Sequence, residues 1–111
     1  KSSSLNKLHI QNLDTAFVCD KNVLKKATLI SNNSGIQMNV YTNQPAIIVY
    51  TPKQFSDLNF RKGIFYNSYP AICFEAQNFP DAPNNKNFPS SLLIPNQEYN
   101  NESIFEFVVL N

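Results

Sequence analysis

Histidine and arginine each occur once in this 111-residue chain, at His9 and Arg61. A metal site needs several imidazole, thiolate or carboxylate ligands brought together, and a single imidazole leaves little to build one from. Neither a metal nor any other cofactor is therefore expected. A thiol–imidazole nucleophile would require His9 beside Cys19 or Cys73, and the expectation is against it. With one arginine, bidentate phosphate clamps are hard to assemble. The formal charge of +1 and a pI near 7.9 give no electrostatic case for nucleic acid or a membrane surface. No apolar run approaches the ~18 residues of a spanning helix, and no signal peptide is visible. GxGxxG, P-loop, CxxC, HExxH and GxSxG patterns are all missing. The two cysteines lie far apart, each in an apolar strand-like run, so two buried thiols in a reducing, cytoplasmic setting are expected rather than a disulfide.

What is present is apolar matter for a core, 42% hydrophobic and 13% aromatic, arranged with a period of two. In Gly35 to Thr42, Ile36, Met38 and Val40 point one way and Gln37, Asn39 and Tyr41 the other. The Asn32-Asn33-Ser34-Gly35 turn joins this strand to Lys26–Ser31 as a hairpin. Leu13–Cys19, Ala46–Thr51, Ala71–Ala76 and Ile104–Leu110 read as further strands. Ala46-Ile47-Ile48-Val49 and Phe107-Val108-Val109-Leu110 are apolar on both faces, which predicts sheet packed on sheet. Helical spacing is confined to two single turns, at Asn22–Lys25 and Lys53–Leu58. Prolines and asparagines fall mostly between the strands, as turn formers should. No repeat or linker marks an internal boundary, so residues 1–111 read as a single unit, all-β and antiparallel, an antiparallel β-sandwich.

The chemistry on offer is carboxylates with aromatics. Asp14 opens one strand, before Ala16-Phe17-Val18, and Glu75 closes another, after Ala71-Ile72-Cys73-Phe74. A carboxylate in an apolar strand is costly to desolvate, so it is either paired or working. Should both strands line one concave face, the acids meet across an aromatic-floored cleft of the kind that holds sugars. From the residues alone, the alternative stands beside it: Asp14 caps a turn and Glu75 faces water at a strand end. After Glu75 comes the stretch Asn78 to Pro89, long for a hairpin but stiffened by Pro80, Pro83 and Pro89. Phe79 and Phe88 are expected to pin it to the surface below. A loop of that length in a compact domain is usually functional or disordered, and this one is too rigid in composition for disorder.

The run Phe74-Glu75-Ala76-Gln77, then Phe79-Pro80-Asp81-Ala82-Pro83-Asn84, Phe88-Pro89-Ser90 and Leu93-Ile94-Pro95, resembles the C-terminal signature of the aldose 1-epimerases (galactose mutarotases). Leu13-Asp14-Thr15-Ala16-Phe17 is similar to that family's short Asp motif, and Ser34-Gly35 with Tyr41-Thr42-Asn43-Gln44-Pro45 to its hairpin and following strand. Phe74 and Ala76 depart from it, standing where many members carry Leu and Thr.

The resemblance spans nearly the whole chain but about the last third of a typical member. It implies the C-terminal part of a mutarotase-type supersandwich. It also implies Glu75 as the general base that takes the proton of an aldohexose anomeric hydroxyl, with Asp14 holding sugar hydroxyls and Tyr50 as a pocket aromatic. A base in that role is expected to be partly desolvated. The family's acid is a histidine, and its second sugar-binding histidine and arginine likewise belong upstream. His9 matches neither histidine motif and reads as a strand-edge residue, and Arg61 as a solvated loop residue.

The chain thus carries the base without the acid and is expected to be inactive alone. The alternatives are a non-catalytic carbohydrate-binding module of the same fold, an Asp14–Glu75 glycosidase pair, or an unrelated interaction sandwich. The polar opening at Lys1, without Met, is expected to follow a removed leader or larger domain. A sandwich reduced in this way should leave unpaired strand edges and an uncovered apolar face. The expected partner is the missing N-terminal part of the same fold, or a second copy joined through an edge.

Overall fold

Six strands carry the regular structure of the residues described in the computed structural model, 12–53 and 69–110. They are β1 (Asp14–Val18), β2 (Lys25–Ser31), β3 (Ile36–Thr42), β4 (Ala46–Tyr50), β5 (Cys73–Gln77) and β6 (Ser103–Val109). A 3-10 turn at Ala82–Asn84 is the one helical piece among the described residues. The strands form two three-stranded sheets, ordered β1-β4-β5 and β2-β3-β6. The fold is all-β, of the antiparallel β-sandwich class that the alternation predicted. Lys53–Leu58, expected as a helical turn, lies outside the described residues apart from Lys53, as do His9 and Arg61.

Two compact units divide the chain. The first comprises Lys1–Thr15 and Ile48–Glu75, the second Ala16–Ile47 and Ala76–Asn111. In the first, Leu13 and Thr51 clasp each other: the Leu13 N–H donates to Thr51 Oγ1 at 2.7 Å, and the Thr51 N–H to the Leu13 carbonyl at 2.9 Å. Within the same unit the Tyr69 N–H donates to the Lys53 carbonyl at 2.9 Å.

The second unit holds the whole β2-β3-β6 sheet. β2 and β3 pair antiparallel through Leu29↔Met38 and Ser31↔Ile36, with a bulge between Lys25 and Ala27. β3 pairs antiparallel with β6 over its full length, from Ile36↔Val109 to Thr42↔Ser103. The hairpin turns at Gly35, whose φ of 66° lies in the left-handed region that a side chain resists. A Cβ there would also meet the Leu110 carbonyl oxygen at 3.2 Å. That close approach lets the Leu110 N–H donate to the Gly35 carbonyl at 2.7 Å, extending the β3–β6 ladder past its last paired residue.

Burial follows the sequence in one apolar run and departs from it in the other. Ala46, Ile47 and Ile48 are buried in succession, as a strand apolar on both faces should be. Phe107 to Leu110 have the same character, yet Phe107 is 68% and Val109 72% exposed. Among the described residues β6 is an edge strand, and nothing there covers it. Asn22–Lys25 is corrected: the Asp20 carboxylate takes the Asn22 N–H at 2.8 Å and the Asp20 carbonyl the Val23 N–H at 3.2 Å, a turn capped by its own side chain rather than a helical one.

Candidate active site

The three residues singled out as a sugar site all fall in the first unit. Asp14 is the first residue of β1, Tyr50 the last of β4 and Glu75 the middle residue of β5. Because β4 lies between β1 and β5, the three sit on hydrogen-bonded neighbours of one sheet. The Leu13–Thr51 clasp sets Asp14 opposite Tyr50, since Leu13 precedes the one and Thr51 follows the other. Directly opposed residues share a face, so carboxylate and phenol ring rise from the same side of the sheet. All three are exposed, Tyr50 at 36%. The partial desolvation expected of Glu75 is thus not supplied by the described residues.

The loop of the signature belongs to the second unit and holds its own shape. Asp81 takes a left-handed φ of 58°, which an aspartate tolerates better than most residues. Its carboxylate accepts from the Asn84 and Asn85 side-chain amides, and its carbonyl from the Asn85 amide at 2.8 Å. The Asn84 and Asn85 N–H groups close the turn on the Asp81 and Ala82 carbonyls, both at 3.1 Å. Phe79 and Phe88 pack ring to ring, 5.0 Å between centroids, so they pin the loop to itself. Asp81, Pro83 and Asn84 thereby account for themselves structurally: they fix the backbone that follows Glu75.

Two further features of the second unit were not read from the sequence. One is a cavity of about 720 Å³ whose lining includes Cys19, Lys26, Gln44, Phe79 and Glu102. Lys26 is occupied there, donating to the Asp20 and Val23 carbonyls. Burial pushes the Cys19 thiol up, and Lys26 opposes this. Cys19 and Cys73 are both free and half-buried.

The other feature is a polar row across β2-β3-β6. Asn39 is 4% exposed; its Oδ1 accepts from Thr28 Oγ1 at 3.1 Å and Gln37 Nε2 at 2.9 Å. Its Nδ2 donates to Glu106 Oε2 at 2.8 Å, which also accepts from the Tyr41 hydroxyl at 3.0 Å. The Asn39 hydrogen bond first, then that of Tyr41 and the charge of Lys25, hold the Glu106 carboxyl below its ordinary value, with desolvation opposing. Donating to Glu106 pushes the Tyr41 hydroxyl up. The signal available in the sequence was a lone carboxylate amid Ile104-Phe105 and Phe107-Val108. Its partner Asn39 emerges only once the register is known.

The family model described as aldose 1-epimerase matches residues 2–106. Galactose mutarotase of Mus musculus is 37% identical over 109 residues, covering 95% of this chain and 32% of its own length. Galactose mutarotase of Homo sapiens is 36% identical over 110 residues, with the same coverage of 95% and 32%. An aldose 1-epimerase of Haemophilus influenzae is 32% identical over 72 residues, 64% of this chain and 21% of its own. With its strands, its carboxylates and its self-held loop, the chain belongs to the aldose 1-epimerase family. It spans about a third of the length of the galactose mutarotases it matches, 32% in each case quoted.

Proposed function

We propose that this chain supplies the general base and part of the sugar site of an aldose 1-epimerase, an isomerase of carbohydrate metabolism. Its substrates are aldohexoses such as galactose and glucose. The observation that carries the reading is the position, on three adjacent strands, of Asp14 and Glu75, which lie in runs similar to the family's motifs, and of Tyr50, which falls where a pocket aromatic is expected. Glu75 takes the proton of the anomeric hydroxyl while an acid protonates the ring oxygen. The C1–ring-oxygen bond breaks, leaving an aldehyde at C1. Rotation about C1–C2 presents its other face, and both protons return as the ring recloses on the other anomer. Asp14 accepts from sugar hydroxyls, and Tyr50 offers a ring face to sugar C–H groups. Proton transfer alone does this work, so the reading calls for no cofactor.

The acid, a histidine in the family, is assigned to polypeptide outside this chain. The 111 residues alone are accordingly expected to be inactive. Both units are read as pieces of one domain, its C-terminal third, working in the cytoplasm. Completing polypeptide of the same fold supplies the acid and also withdraws Glu75 from water, as a base matched to neutral pH requires. The exposure of Glu75 favours the second reading, a carbohydrate-binding module that never catalyses.

Polarimetry of freshly dissolved α-galactose separates the two readings. A protein in which this chain replaces the matching third of the mouse relative should speed anomer exchange. Glu75→Gln should slow it by roughly 10²- to 10⁴-fold, the usual worth of one positioned proton transfer. Unchanged rates in the variant remove Glu75 from the mechanism, and sugar binding without any acceleration supports the module.

A further inference from the structure

We infer that the outer edge of β6 receives one further β-strand, supplied by polypeptide equivalent to the part of the mutarotases, all but 32% of their length, that this chain does not span. The ladder phase defines that edge. Leu110 donates to Gly35 and Asn43 to Glu102, so Ile104, Glu106 and Val108 direct their backbone groups toward β3. Phe105, Phe107 and Val109 direct theirs outward, where no partner exists among the described residues. The same three residues rise from one face of the sheet and are 44%, 68% and 72% exposed. An open row of amides beneath exposed apolar side chains is what strand addition uses.

The opposite edge of the sheet is built to refuse such a partner. β2 begins Lys25-Lys26 and carries its bulge there, both devices that blunt an edge. β6 has no lysine, proline or bulge, and seven regularly paired residues. Its one charge, Glu106, stands at the centre and argues against a second copy. Two β6 strands paired antiparallel over their full length would set Glu106 directly against Glu106, a destabilising match. A strand of different sequence avoids this. It should be apolar where it faces Phe105, Phe107 and Val109, with a lysine, arginine or amide facing Glu106, whose Oε2 already accepts two donors.

The inference rests on the proposed function only for the source of the strand, and its readout is independent of anomer exchange. In the 111-residue chain, amide hydrogen exchange at Phe105, Phe107 and Val109 should run at least tenfold faster than at Ile104, Glu106 and Val108, with sedimentation giving a monomer. Adding the separately expressed remainder of mouse galactose mutarotase should slow those three amides at least tenfold. Phe107→Pro deletes an outward N–H without touching the β3 ladder and should abolish the slowing. Ile30→Pro, which deletes an outward N–H on β2, should leave it intact. Equal effects of the two prolines, binding that leaves the three amides fast, or no binding overturns the inference. So does a dimer in which they are already protected, which makes a second copy the occupant.

Discussion

β4 and β6 are written in the same apolar alphabet and meet opposite fates. Ala46, Ile47 and Ile48 are at most 6% exposed, whereas every residue of β6 is exposed. Apolar content does not separate Ala46-Ile47-Ile48-Val49 from Phe107-Val108-Val109-Leu110. Position does: β4 has a neighbour on each side, while among the described residues β6 pairs on one side only. A strand apolar on both faces states that it is meant to be covered. Which polypeptide covers it is written elsewhere.

The largest effect that could break this comparison is a truncation at each strand. Ile47→Ala should cost about 2–5 kcal/mol in urea unfolding of the chain, the usual toll of a core cavity. Phe107→Ala, on a side chain already in water, should stay within about 1 kcal/mol. Equal losses would mean that β6 is covered in solution. Joining the chain to the remainder of its mouse relative should sharpen the contrast from the other direction, raising the cost of Phe107→Ala toward that of Ile47→Ala.

A smaller effect concerns acid. Glu106 is held below its ordinary 4.5 by Asn39, so its contribution to stability is complete above that value. It is lost as pH falls through the lowered one. Urea midpoints recorded down the acid range should fall more steeply in the wild-type chain than in Asn39→Ala, which lacks the leading hydrogen bond. Parallel curves would show that the row contributes nothing to the pH dependence.

Much of this was legible in the residues because strand periodicity is local. Ile36, Met38 and Val40 announced β3, and Asn32 to Gly35 the turn before it, within a residue of the observed bounds. The loop after Glu75 was legible too, since Asp81, Ala82, Pro83 and Asn84 carry a turn in their own side chains. Pairing is not local, and there the reading stopped. Nothing in the sequence singled out Glu106; only the register sets it against Asn39. The exposure of Phe107 and Val109 depends on sheet order, which alternation does not encode. The base assignment for Glu75 came from its resemblance to a family motif; its own strand specifies only where it stands.

The central claim is that this chain carries one half of a proton relay. Polarimetry of α-galactose with the 111-residue chain alone, and then joined to the remainder of its mouse relative, tests it most directly. The first should give a rate indistinguishable from buffer and the second a clear acceleration. Acceleration by the lone chain equal to that of the joined protein would contradict it, because the acid would then have to lie within these residues.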